Sequence, residues 1–86
     1  MTGNRAAAVA DELRAILAQV TGRDERLGIA ADTALFGAGV GLDSLAGTLL
    51  LRQVQRRYDV DVAAEDLNLD ALENLGTLAA FIAARI

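Results

Sequence analysis

Three apolar stripes at helical spacing limit this chain more than any other feature. Val9, Leu13, Ile16, Leu17 and Val20 fall at i, i+4, i+7, i+8 and i+11, one face of a helix with 3.6 residues per turn. Gly47, Leu50, Leu51, Val54 and Tyr58 make a second stripe, and Leu75, Leu78, Ala79, Ile82 and Ile86 a third. A helix that is apolar along one face must bury that face against another element. Three of them within 86 residues predict a bundle, and one all-α domain over residues 1–86.

The punctuation between the stripes fits that reading. Asn4 is placed to cap a first helix starting at Arg5, and Thr21-Gly22 to end it. Asp43-Ser44 opens the second helix, which stops before Asp59-Val60-Asp61-Val62. That segment alternates as a strand would, but four residues without a partner strand make no sheet. Asn74 caps the last helix, and Leu67, Leu69 and Leu72 in the acidic stretch before it predict a short turn or helix. The expected architecture is a small four-helix bundle, three main helices plus a short third one.

Residues 23–42 show neither period and form a long loop between helices 1 and 2. Arg23, Asp24, Glu25 and Arg26 read as solvated. Leu27, Ile29, Leu35 and Phe36 are spaced like anchors pinning the loop to the core, with a short turn near Asp32 and Thr33. A structureless connection of about 20 residues in so small a domain is usually functional.

Composition then removes most chemistry. The sequence has no Cys, His, Pro or Trp, and all eight basic residues are Arg. Without Cys there is no disulfide, thiolate metal site or cysteine nucleophile. Lacking His, it has no general base poised near neutral pH and lacks the commonest metal ligand. With no Lys, Schiff-base chemistry is excluded. An enzyme acting alone is therefore not expected, and no metal site is read. A net charge of −4 argues against nucleic-acid partners. No apolar run approaches the roughly 20 residues that cross a bilayer. Met1 to Arg5 do not lead into an apolar signal core, so a cytoplasmic protein is expected.

The informative stretch is Gly41-Leu42-Asp43-Ser44-Leu45, where a glycine-rich loop turns into a helix. Gly37, Gly39 and Gly41 alternate with Ala38 and Val40, but no strand precedes them. A dinucleotide fingerprint would also need glycine where Leu42 stands. The acids between Asp59 and Glu73 lack the spacing of a calcium loop and read as a solvated face. A serine in the first turn of a helix lies beside N–H groups that have no intrahelical acceptor. Those groups and the helix dipole favour an anion there, and glycines before it keep the approach free of side chains.

The segment resembles the attachment site of acyl carrier proteins and related phosphopantetheine-dependent carrier domains, in which a G-x-D-S-L segment presents a modified serine. Leu35-Phe36 before the glycines and Asp59-Val60-Asp61-Val62 after helix 2 match the same pattern, as does Leu75-Gly76-Thr77-Leu78 at the start of the last helix. The resemblance implies a carrier that holds acyl, aminoacyl or aryl groups as thioesters on 4′-phosphopantetheine attached to Ser44. It implies modification by a separate Mg²⁺-dependent phosphopantetheinyl transferase, with loading, synthase and tailoring enzymes as further partners. Asp43 is equally placed as the helix cap. In the family this aspartate also lies where the transferase and its metal meet the carrier, so both roles stay open.

One departure concerns charge. In fatty-acid-type carriers the exposed side of this helix is usually acidic. Here Asp43 to Tyr58 holds three arginines against one aspartate, a net of +2, while Asp59 to Glu73 holds six acids and no base. Leu45, Ala46, Leu49, Arg52, Gln55 and Arg56 are expected to form the partner surface, with Ala46 and Leu49 exposed near Ser44 or, for Leu49, packed on the long loop. These departures point to a discrete carrier of polyketide or related natural-product biosynthesis. The alternatives are an aminoacyl or peptidyl carrier of a nonribosomal peptide pathway and a plain helical interaction module. A monomer is expected, and a helix so close to Met1 favours a free subunit.

Overall fold

α1 runs Gly3–Thr21, α2 Ser44–Tyr58 and α3 Leu75–Ala83, with 3₁₀ turns at Asp24–Gly28 and Leu69–Leu72. The structure is a computed structural model that describes residues 3–37, 39–62 and 69–86. Among the described residues there is no strand, only an isolated antiparallel bridge between Ala34 and Asn74. The all-helical class matches the stripes. Of the expected short third helix, the described residues contain one 3₁₀ turn, and Leu67 lies outside them.

α1 begins at Gly3, so Asn4 sits inside its first turn and does not cap a helix from Arg5. The run Ala6 to Ala8, of the best helix-forming residue, favours extension of the helix by another half turn. Val9, Leu13, Ile16 and Leu17 are buried and Val20 packs against them half-buried. The helix closes as expected at Gly22, with φ at +71° and the Arg23 N–H donating to Ala18 O at 3.1 Å. α1 packs against both α2 and α3. In α3, the Thr77 N–H donates to Asn74 Oδ1 at 2.8 Å and the Asn74 N–H to Thr77 Oγ1 at 3.0 Å, a reciprocal cap. Leu75, Leu78, Ala79 and Ile82 are buried. The helix stops at Ala83, which leaves Ile86 44% exposed and off the stripe expected for it.

The long loop is pinned differently from the expectation. Leu35 is fully buried and Ile29 half-buried, but Leu27 and Phe36 are exposed. No residue of the 3₁₀ turn at Asp24–Gly28 is fully buried. Phe36 lies over the surface of α2, where a Cβ on Gly47 would meet its ring at 3.1 Å. Val40 and Leu42 are the further anchors, 4% and 6% exposed. Backbone bonds hold them there: the Val40 N–H donates to Ala34 O at 2.7 Å and the Leu42 N–H to Leu35 O at 3.0 Å. The loop is then stitched to the start of α3 by Leu35 N–H to Glu73 O, Leu75 N–H to Thr33 O, and Gly76 N–H to Ala31 O at 2.7 Å. A turn does form near Asp32, closed by the Thr33 N–H to Ala30 O. The described residues of the connection thus form a wall against the core.

After α2, Val60 and Val62 are buried while Asp59 and Asp61 face outward. The alternation is real, yet it serves to anchor an extended segment and builds no sheet.

Candidate functional site at the amino end of α2

The amino end of α2 follows from two local devices. Asp43, in extended conformation at φ −90° and ψ −179°, accepts the Ala46 N–H on Oδ1 at 2.7 Å. It is the N-cap, so Ser44 is the first helical residue. Gly41 precedes it at φ +74°, a region open to glycine and costly for other residues. Gly39 has a different reason: a Cβ there would lie 2.0 Å from Ala34 O. These glycines are required by backbone shape and close approach rather than by open access to the serine. Leu42, between Gly41 and Asp43, plugs the core and fixes the height at which the helix starts.

The result is an exposed Ser44 between an exposed Asp43 and a Leu45 that is 69% exposed. In helix geometry the Ser44 and Leu45 N–H groups have no intrahelical acceptor, and the Ala46 N–H is taken by Asp43. The anion-friendly helix start is therefore shared. Part of its compensation already belongs to the Asp43 carboxylate.

Beside the serine lies an open cleft of about 520 Å³. Its α2 wall is Asp43, Leu45, Ala46 and Leu49, and its opposite walls come from the end of α1 and the long loop, including Val20, Arg23, Arg26 and Val40. Arg26 was expected to be solvated. It is half-buried, its Nη2 donates to Val40 O at 3.0 Å, and its Nε is buried with no hydrogen-bond partner among the described residues. Sequence reasoning missed Arg23 and Arg26 as part of this site because a run of charges in a loop carries no period to reveal which member turns inward.

The expected partner surface is brought onto one helix, though not uniformly. Leu45, Leu49, Arg52 and Arg56 follow one another at i, i+4, i+7 and i+11 and are all exposed, as is Gln55. Ala46, expected to be exposed, is half-buried against the core. It sits one residue before the buried Gly47, on the shoulder of the inward stripe. Leu49 is 38% exposed and also lines the cleft with the loop. At the far end of α2, Arg57 Nε and the Tyr58 hydroxyl both donate to Glu12 Oε2, the arginine at 2.6 Å. Those bonds, Arg57 first, hold the Glu12 carboxyl below its ordinary pKa, while burial and the same carboxylate push the Tyr58 hydroxyl up.

A phosphate-bearing arm suits this arrangement. The exposed hydroxyl can be reached, the neighbouring N–H groups favour an anion, and Arg23 and Arg26 line the adjoining cleft. Comparison with known proteins agrees. The family model described as phosphopantetheine attachment site matches residues 11–82. No curated protein and no solved structure matches the chain.

Proposed function

The chain belongs to the phosphopantetheine attachment site family, and from that premise we propose that Ser44 is the attachment residue and that the protein carries acyl-type intermediates between enzymes. Domains of this family bear 4′-phosphopantetheine covalently on a serine and are generally non-catalytic, modified by a transferase and served by loading and synthase enzymes. The group supplies a terminal thiol on which cargo is held as a thioester. Ser44 is the sole serine of the sequence. Its exposed position as the first residue of α2, behind the Asp43 cap, is the observation that carries the reading. This chain's residues present the hydroxyl, hold the helix start open and keep the backbone N–H groups beside it. Deprotonation of that hydroxyl belongs to the transferase, since the chain has no His, Lys or Cys to do it.

Intact mass spectrometry tests the assignment. After incubation with coenzyme A, Mg²⁺ and a promiscuous phosphopantetheinyl transferase, the wild type gains one phosphopantetheine and Ser44→Ala gains none. An unmodified wild type, or a modified Ser44→Ala, overturns it.

The finer reading is a monomeric cytoplasmic carrier of polyketide or related natural-product biosynthesis. Its support is the exposed strip Leu45, Leu49, Arg52 and Arg56, apolar and then cationic where an acidic face would suit fatty-acid-synthase partners. Surface charge of this kind sets encounter rate and partner choice. An aminoacyl or aryl carrier of a nonribosomal peptide pathway is the second reading, favoured by the same arginines. Loading by a fatty-acid-type malonyl transferase is expected to be slow. Loading as efficient as that of the host's own fatty-acid carrier contradicts the assignment outside the primary synthase.

A further inference from the structure

The cleft beside Ser44 combines two kinds of wall. Leu45 and Leu49 on α2 and Val20 across from them make its lining apolar in part, and Arg23 and Arg26 make it cationic in part. A carboxylate, Asp43, stands at its edge and already occupies the Ala46 N–H at the helix start. A phosphodiester on the next residue would meet that carboxylate as a like charge, with only part of the helix terminus left to offset it. Cations on the facing wall are the compensation that the fold supplies. Arg23 is weakly engaged, 3.5 Å from Glu25 on an exposed surface. Arg26 spends one nitrogen on Val40 O and keeps a buried Nε without an acceptor among the described residues. The charge of Arg26 at the cleft lining, rather than this enclosed Nε, is what an anionic oxygen would meet there.

The arm's own chemistry pairs the same two kinds of group. Next to its phosphate comes the pantoate unit, whose carbon bearing two methyl groups is its most apolar point. We propose that the cleft is a seat for the proximal half of the arm, with the phosphodiester against Arg26 and Arg23 and the two pantoate methyl groups on Leu45, Leu49 and Val20. This inference rests on Ser44 being the attachment residue. The seat lies on the loop side of α2. It directs the arm's departure from the protein before any cargo is considered, leaving the distal thiol to reach partner enzymes. Burying the two methyl groups offsets the ordering of the arm's first bonds.

The test is solution NMR on the holo protein, with conversion first verified by intact mass. In the seated arm the pantoate methyl protons show nuclear Overhauser contacts to the methyl groups of Leu49 and Val20. Conversion from apo to holo also shifts the backbone amides of Val40, Gly41 and Leu42 along with those of residues 43–46. In Leu49→Ala the remaining contacts to Val20 weaken. Arg26→Gln moves the phosphorus resonance of the diester, and Arg23→Gln, which leaves the Val40 bond intact, moves it less. Failure to modify the wild type overturns the attachment assignment and this seat together. A fully modified protein with no pantoate contacts, and with shifts confined to residues 43–46, overturns the seat alone. An unmoved phosphorus resonance in both arginine variants overturns the cationic half of it.

Discussion

The two ends of α2 are built on opposite plans. At the carboxyl end, Arg57 and Tyr58 both donate to Glu12 of α1, and Asp59 turns the chain in a left-handed conformation at φ +58°. Val60 and Val62 then plug the core. At the amino end, one carboxylate caps the helix, and the residues around Ser44 are exposed beside an open cleft. Rigidity there is supplied from beneath, by Val40 and Leu42 and by the backbone bonds that tie the loop to α3. A carrier needs such an asymmetry. One end fixes the helix on the bundle, and the other leaves its first turn exposed.

Substitutions at the two ends probe that contrast in order of size. Gly39→Ala carries the largest effect, because the new Cβ cannot sit 2.0 Å from Ala34 O without moving the loop. A loss of about 3 kcal/mol, of the kind that overpacking brings, is expected in urea unfolding. Amide shifts would concentrate at residues 34–42. A neutral outcome would mean that the loop does not support the amino end. Asp43→Ala removes the cap and is expected to lose about 1 kcal/mol, with fraying confined to the first turn of α2. Hydrogen exchange at Ala46 would report it. Tyr58→Phe tests the other end. Its loss is also about 1 kcal/mol, and it should leave the amides around Ser44 unmoved. Asp59→Gly goes the other way: glycine at this left-handed position is expected to raise stability by about 0.5 kcal/mol.

The smallest effect is a pH dependence of the clamp. The Glu12 carboxyl is held below its usual range by its bonds to Arg57 and Tyr58, with burial opposing them. Its contribution is present above the unfolded value of about 4.3 and is lost as pH falls through the lower folded value. Tyr58→Phe should therefore narrow the stability difference between neutral and acid pH. A wild-type acid slope unchanged by this substitution would show that Glu12 is not tied as described.

What the sequence revealed follows the same physical division. Period marked the helices, and Leu13, Leu17, Leu50, Val54, Leu78 and Ile82 are all buried as their spacing requires. The irregular loop has no period, so burial there depends on which backbone groups bond at a distance. Leu35 was legible, whereas Leu27 and Phe36 face outward and Val40 and Leu42 take the inner positions. Leu35 N–H and Glu73 O, a pair that local pattern cannot connect, fix that choice. At the site, Asp43-Ser44 was legible because capping is local. The inward turn of Arg26 was not, because Val40 O receives it from 14 residues along the chain.

Whether the exposed start of α2 holds the arm on Ser44 is decided by fragment mass spectrometry of the modified protein. Thr48 is the useful rival: an exposed hydroxyl one turn on, donating to Ser44 O at 2.8 Å. The phosphopantetheine mass and its characteristic loss are expected to localise to Ser44 and to vanish in Ser44→Ala. Localisation to Thr48, to any other residue, or to none would contradict that assignment.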